Sequence, residues 1–170
     1  KNMKPHVYLL AIASVFVLSS CFKNDKTFSK TDYELFKMAE KKEGFVWYKN
    51  SEEYLDKSSG TGHSNPLLRT RYNAIAATML DGNGRIIEGI NFPEGSLIVK
   101  ELYDANKKLE RYAILYKNAT SPDADAKGWV WGYINSNNTT AAPASLKGKS
   151  CVSCHSQENN IDYMLMNKYF

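Results

Sequence analysis

Two thiols and an imidazole stand together near the carboxyl end of the chain, in the run Cys151-Val152-Ser153-Cys154-His155. On a helical turn, residues three apart share a face, so Cys151 and Cys154 can bond the two vinyl edges of one porphyrin. His155 then projects toward the metal. C-x-x-C-H is the sequence mark of covalent haem attachment. The expected cofactor is therefore one covalently bound haem c, held by Cys151 and Cys154, with His155 as the proximal iron ligand. Only fifteen residues follow His155, so a sixth iron ligand, if there is one, must come mostly from earlier in the chain.

Three other readings use the same residues. A structural zinc site needs four ligands, and beyond this run the chain offers only Cys21 and His6, both in a leader-like segment, and His63. A thioredoxin-like dithiol normally follows an early strand of a βαβ unit, and no such unit precedes Cys151. A plain disulfide stays open on spacing alone.

The other end of the chain reads as an export signal. Lys1, Lys4 and His6 precede an apolar run at 7–18, and Ser19, Ser20 and Cys21 follow it, giving a positive start, a hydrophobic core and a small-residue cleavage region. Twelve positions are too few to span a bilayer as a helix. Leu18-Ser19-Ser20-Cys21 resembles a bacterial lipoprotein box, in which Cys21 is lipidated and becomes the mature terminus. An ordinary signal peptide cut nearby, leaving Cys21 as a free thiol, is the alternative. Either way the chain is expected to be exported, and the lipid would anchor it on the periplasmic side of a bacterial membrane. The domain plan is a leader at 1–20, a tether at 21–30 and a single haem-binding domain at 31–170. Losing the leader removes Lys1 and Lys4 and no acid, lowering the formal charge from +4 to +2. That balance gives no nucleic-acid footprint.

The elements that must position the haem motif are mostly strands. A helix is expected at 31–42, capped by Thr31 or Asp32, with Leu35, Phe36, Met38 and Ala39 as its apolar stripe and Gly44 as its stop. Strands are expected at 45–48, 71–79, 85–91, 96–103, 111–117 and 129–134 from their aromatic and β-branched content. Asp81-Gly82-Asn83-Gly84 and the 104–108 segment read as hairpin connections. Short turns between strands argue for an antiparallel sheet. One helical turn at 151–157 and a short helix at 162–168 complete an α+β fold: a mostly antiparallel β-sheet domain with short helices at the ends. The long amphipathic helices of a four-helix haem bundle are missing from this pattern. The polar stretch at 135–149 gives the haem motif room to wrap back onto the sheet.

In order along the chain come Arg71-Tyr72-Asn73-Ala74, then Phe92-Pro93-Glu94-Gly95-Ser96-Leu97-Ile98-Val99-Lys100-Glu101-Leu102, then Gly128-Trp129-Val130-Trp131, the haem motif, and Asn160-Ile161-Asp162-Tyr163. This series, over roughly 45–165, resembles the cytochrome P-460 family, including its cytochrome c′-β relatives. The resemblance implies a β domain around one c-type haem, with His155 proximal and the opposite side of the iron facing the sheet. In cytochromes P-460 proper, a lysine is cross-linked to the porphyrin and hydroxylamine is oxidised. In c′-β relatives the distal side is an apolar pocket for gases such as nitric oxide. The implied function is haem oxidoreductase chemistry on small nitrogen compounds, such as hydroxylamine or nitric oxide, at an open distal site. A non-enzymatic gas binder and a simple electron-transfer cytochrome are the alternatives. The implied partners are small nitrogen compounds or gases, a redox partner protein, the membrane through the lipid, and, since relatives are often dimers, a second copy of the chain.

Lys100 is the candidate for the cross-linked lysine. In a strand, Ile98, Lys100 and Leu102 share one face while Leu97, Val99, Glu101 and Tyr103 share the other. Each face thus carries one charged group among apolar neighbours, which must neutralise, find a partner or reach solvent. The alternative for Lys100 is an exposed strand position. Arg71 is the second distal candidate, as a hydrogen-bond donor to a bound nitrogen or oxygen species, with a haem-propionate bridge or a solvated strand edge as its other readings. Arg69 would share its face. His63, in a loop of turn formers, could be a distal ligand or proton donor, or could merely stiffen the loop. Met164 and Met166 are candidate sixth ligands, although core packing suits them as well. Trp129, Trp131 and Tyr133 alternate onto one face and could wall the haem, or simply be core.

Overall fold

The computed structural model describes residues 28–170; the leader, Cys21 and most of the tether lie outside the described residues. Helix α1 spans Lys30–Glu40, with Ser29 rather than Thr31 or Asp32 as its cap, accepting the Asp32 N–H at 3.0 Å. The two expected caps are engaged elsewhere. The Thr31 hydroxyl donates to Asp123, and Asp32 accepts both the Ser29 hydroxyl and the backbone N–H of Ala144. Leu35, Phe36 and Ala39 are buried, so the apolar stripe faces the sheet as its spacing predicts.

The sheet has seven strands: β1 (Val46–Trp47), β2 (Leu55–Asp56), β3 (Leu67–Tyr72), β4 (Leu97–Tyr103), β5 (Leu109–Lys117), β6 (Trp129–Asn135) and β7 (Thr140–Ala142). Every pairing is antiparallel, in the order β1-β3-β4-β5-β6-β7, with β2 also on β3. At the β4–β5 turn, Asp104 accepts the N–H groups of Asn106 and Lys108, and Lys107 takes the left-handed conformation at φ 61°. The sheet is covered on both faces. Leu35 and Phe36 pack with Val99, Ile114 and Ile134 on one side. On the other side Leu68, Tyr72, Phe92, Ile98 and Trp129 pack with Met164 from the carboxyl-terminal segment.

Three expectations are corrected. The 71–79 segment is not a strand: β3 ends at Tyr72, and Asn73 turns the chain into the short helix α2 (Ala74–Ala77). Its Oδ1 accepts from Ala76 and Leu97, and its Nδ2 donates to the Gly95 carbonyl. The 85–91 segment forms only an isolated bridge, Leu80 to Ile86. Both backbone polar groups of Ile86 are taken by the Asn167 side chain, leaving no free edge there for a ladder. The 162–168 helix shrinks to α4 (Met166–Tyr169), because Asp162 and Tyr163 hold φ of 46° and 73°, outside the right-handed helical region.

Candidate functional site

Register alone lays out the floor of the site. Thr70 pairs with Lys100, Lys100 with Ala113 and Ala113 with Tyr133, forming one lateral row, and Ile98, Leu115 and Trp131 form the next. Both rows face a cavity of about 250 Å³, lined on its other sides by the Gly60–His63 loop, the 142–150 segment and the carboxyl-terminal segment. Cys151, Cys154 and His155 all line it.

Helix α3 (Val152–His155) carries the motif, and both of its cysteines are free thiols. The His155 Nδ1 lies 2.7 Å from the Tyr163 carbonyl oxygen. A carbonyl only accepts, so Nδ1 bears the proton and Nε2 keeps its lone pair for a metal. The left-handed backbone at Asp162 and Tyr163 aims that carbonyl, and Asp162 holds the turn in place. Its carboxylate accepts from the Phe92 N–H at 3.0 Å and the Trp129 indole at 3.1 Å, and lies 3.3 Å from the Lys117 Nζ. The His155 ring stands edge-on to Trp131, 5.2 Å between centroids. Burial pushes the His155 pKa down to about 4 against the opposing pull of the Tyr163 bond, so the ring is neutral at pH 7, the form that binds metal. The chain enters α3 through Gly148, at φ 70°, where a Cβ would come within 2.7 Å of the Trp131 ring.

Lys100 reaches the same cavity. Among the described residues no carboxylate lies within ion-pair distance of its ammonium, and its nearest aromatic partner is the Phe170 ring at 6.0 Å. Burial lowers its pKa to about 8. His63 also lines the cavity, its Nδ1 3.3 Å from the Tyr133 hydroxyl and its ring 6.4 Å from that of His155. Burial, helped by the Lys100 charge, takes its pKa down to about 3. Met164 and Met166 are buried in the wall, where the Thr70 hydroxyl points at the Met166 sulfur from 3.3 Å. Trp131 and Tyr133 wall the cavity, whereas Trp129 lies fully buried in the core beyond it.

The structure does not bring Arg71 to this cavity. Its neighbour Thr70 points to the cavity floor, so Arg71 points to the opposite face of the sheet. There its guanidinium, fully buried, bonds Glu101 at 3.2 Å and the carbonyls of Lys41, at 2.5 Å, and Ala39. Those carbonyls end helix α1, so Arg71 caps the helix and clamps it to the sheet. Arg69 shares that face, as expected, bonding Glu101 at 2.8 Å with its guanidinium near the rings of Trp47, Tyr54 and Tyr103.

Two free thiols, one lone-pair imidazole nitrogen and a largely apolar cavity suit a porphyrin. No cluster of three or more His, Cys, Asp or Glu side chains placed to hold a bare metal ion occurs among the described residues, so the donor set does not fit structural zinc. Residues 47–166 match the family profile for cytochrome P460. The chain belongs to the cytochrome P460 family. No curated protein and no solved structure matches the chain at a significant level. Membership makes haem the cofactor and places the chain among haem proteins acting on nitrogen compounds such as hydroxylamine. The matched span runs from β1 to the start of α4 and leaves out α1. Within the P460 region, sequence reasoning passed over Asp162 and the Tyr163 carbonyl. Asn160-Ile161-Asp162-Tyr163 was the visible signal, with no side-chain chemistry to mark it as the support of His155.

Proposed function

We propose that this cytochrome P460 is an exported, lipid-anchored protein carrying one haem c, bonded to Cys151 and Cys154 with His155 on the iron, and that it oxidises hydroxylamine or a similarly small nitrogen compound. The observation that carries this reading is one cavity lined by a neutral, carbonyl-anchored His155 and two free thiols, together with an ammonium that has no carboxylate within ion-pair distance among the described residues. Haem bound there would supply an iron position for the substrate and accept its electrons. Oxidising hydroxylamine also releases protons, and no acid lines the cavity among the described residues. Burial lowers the Lys100 Nζ pKa to about 8, so at mildly alkaline pH a share of it is the neutral amine and is able to take such a proton. A redox partner protein would then drain the electrons. Export and lipidation rest on the apolar run at 7–18 and on Leu18-Ser19-Ser20-Cys21.

The same lack of an acid, with Ile98, Leu115 and Met164 in the wall, favours a second reading, non-enzymatic binding of nitric oxide. An absorption spectrum of the ferrous protein, before and after nitric oxide, with mass spectrometry of haem peptides, separates the two. A Soret band far to the red, with a Lys100 peptide joined to haem, supports the oxidase. An ordinary five-coordinate spectrum without the adduct removes it in favour of gas binding. A low-spin spectrum indifferent to nitric oxide would make the protein an electron carrier.

A further inference from the structure

Of the two imidazoles that line the cavity, His63 is the one that haem attachment does not account for. Because His155 spends Nδ1 on the Tyr163 carbonyl, Nε2 is the atom left free to hold haem iron. The His63 ring stands 6.4 Å from the His155 ring, nearly perpendicular at 75°. The loop carrying His63 is fixed against the attachment site itself. The Thr61 hydroxyl bonds the Ser58 carbonyl, Gly60 abuts the Tyr169 ring, and Gly62 lies beside the Cys154 sulfur.

Tyr133 sets which nitrogen of His63 faces the cavity. A phenol is a better donor than acceptor and a neutral imidazole nitrogen a better acceptor than a phenol oxygen, so the stronger pairing has the hydroxyl donating to Nδ1. Nε2 then carries the hydrogen. We infer that His63, oriented by Tyr133, donates its Nε2–H to the oxygen of a small nitrogen–oxygen ligand in the cavity and selects such ligands over apolar ones of equal size. Lys100, in the same row of the sheet as Tyr133, supplies a positive field but no fixed direction. His63 supplies the direction.

The inference rests on haem occupying this cavity, and its test keeps the two apart. In the holoprotein, the C–O stretch of the ferrous carbon monoxide adduct and the release rate of nitric oxide are read for His63→Leu, His63→Gln and Tyr133→Phe. Loss of the donor in His63→Leu should raise the stretching frequency and speed nitric oxide release about tenfold, the equivalent of about 1.4 kcal/mol. Gln, which keeps an N–H donor, should recover most of both. Tyr133→Phe, which leaves the ring in place but unoriented, should give a smaller shift in the same direction and carries the test if His63→Leu does not fold. Variants with full haem and an unchanged stretch and release rate overturn the role of His63 and leave the haem assignment standing. A low-spin ferric wild type that turns high-spin in His63→Leu overturns it too, making His63 an iron ligand. A wild type with no covalent haem overturns both readings.

Discussion

Lys100 and Glu101 are consecutive residues of β4, yet the two faces of the sheet treat their charges in opposite ways. Glu101 is fully buried and richly partnered: Arg69 at 2.8 Å, Arg71 at 3.2 Å, Lys42 at 3.9 Å and the Tyr103 hydroxyl. Burial pushes its carboxyl pKa up, but the Tyr103 bond and the three cations more than offset that and hold it below the usual value. Lys100, one residue earlier, has no carboxylate in range among the described residues and relieves the cost of burial by a lowered pKa. A buried charge with its partners in place fixes a helix to a sheet, whereas one left without them in a cavity is available for chemistry. The first face is architecture and the second is the site.

The largest effect should come from stripping the cavity face. Replacing Cys151 and Cys154 together by Ala should abolish covalent haem, read by haem staining of denaturing gels; full staining would refute the assignment. The Glu101 network, on the far side of the sheet, should survive, seen as retained far-ultraviolet dichroism.

Next comes the opposite operation. Arg71→Met leaves Glu101 short of a partner and frees the end of α1, and removing one member of a buried pair typically costs about 3–5 kcal/mol. Urea unfolding should register that loss while the haem spectrum of the remaining folded protein stays as in the wild type. A shifted Soret band would mean that Arg71 acts on the haem after all. The complementary change, Lys100→Met, should leave stability equal or higher, since it removes an unpaired ammonium, but should abolish hydroxylamine oxidation and any lysine–haem adduct. Undiminished turnover would take Lys100 out of the mechanism.

Whatever depended on local spacing was legible in the sequence: the grouping of Cys151, Cys154 and His155 on one cavity, the two faces of β4, the stripe of α1 and the 104–108 turn. Arg71 was misplaced for a specific reason. With the strand taken to start at 71, nothing fixed which way its side chain points, and only the register of 67–72 against β4 puts Thr70 beside Lys100 and turns Arg71 away. Asp162 escaped notice because its partners Phe92 and Trp129 are 70 and 33 residues away. Tyr163 contributes a main-chain oxygen, which any residue type has. The strands β2 and β7, of two and three residues, are too short to leave a period.

The smallest effects lie in the pH dependence, where the two faces predict opposite limbs. Glu101 has a folded pKa below the ordinary 4.5, so its contribution is fully present above that value and is lost as pH falls through the folded pKa. Lys100 sits near 8 folded against 10.5 unfolded. Between those values the unfolded chain binds more protons, so stability should rise with pH across that window. Urea midpoints of the haem-free Cys151→Ala, Cys154→Ala protein, followed from acid to alkaline pH, should show both limbs. Adding Glu101→Gln should make the acid limb shallower only at and below the ordinary carboxylate range, because His63 and His155, whose folded pKa values of about 3 and about 4 lie below the ordinary 6.5, hold up the rest of that limb. Lys100→Met should flatten the alkaline limb alone. An alkaline limb that persists without Lys100 would mean that its ammonium has counter-charges in solution, and the contrast between the two faces would then reduce to one of position.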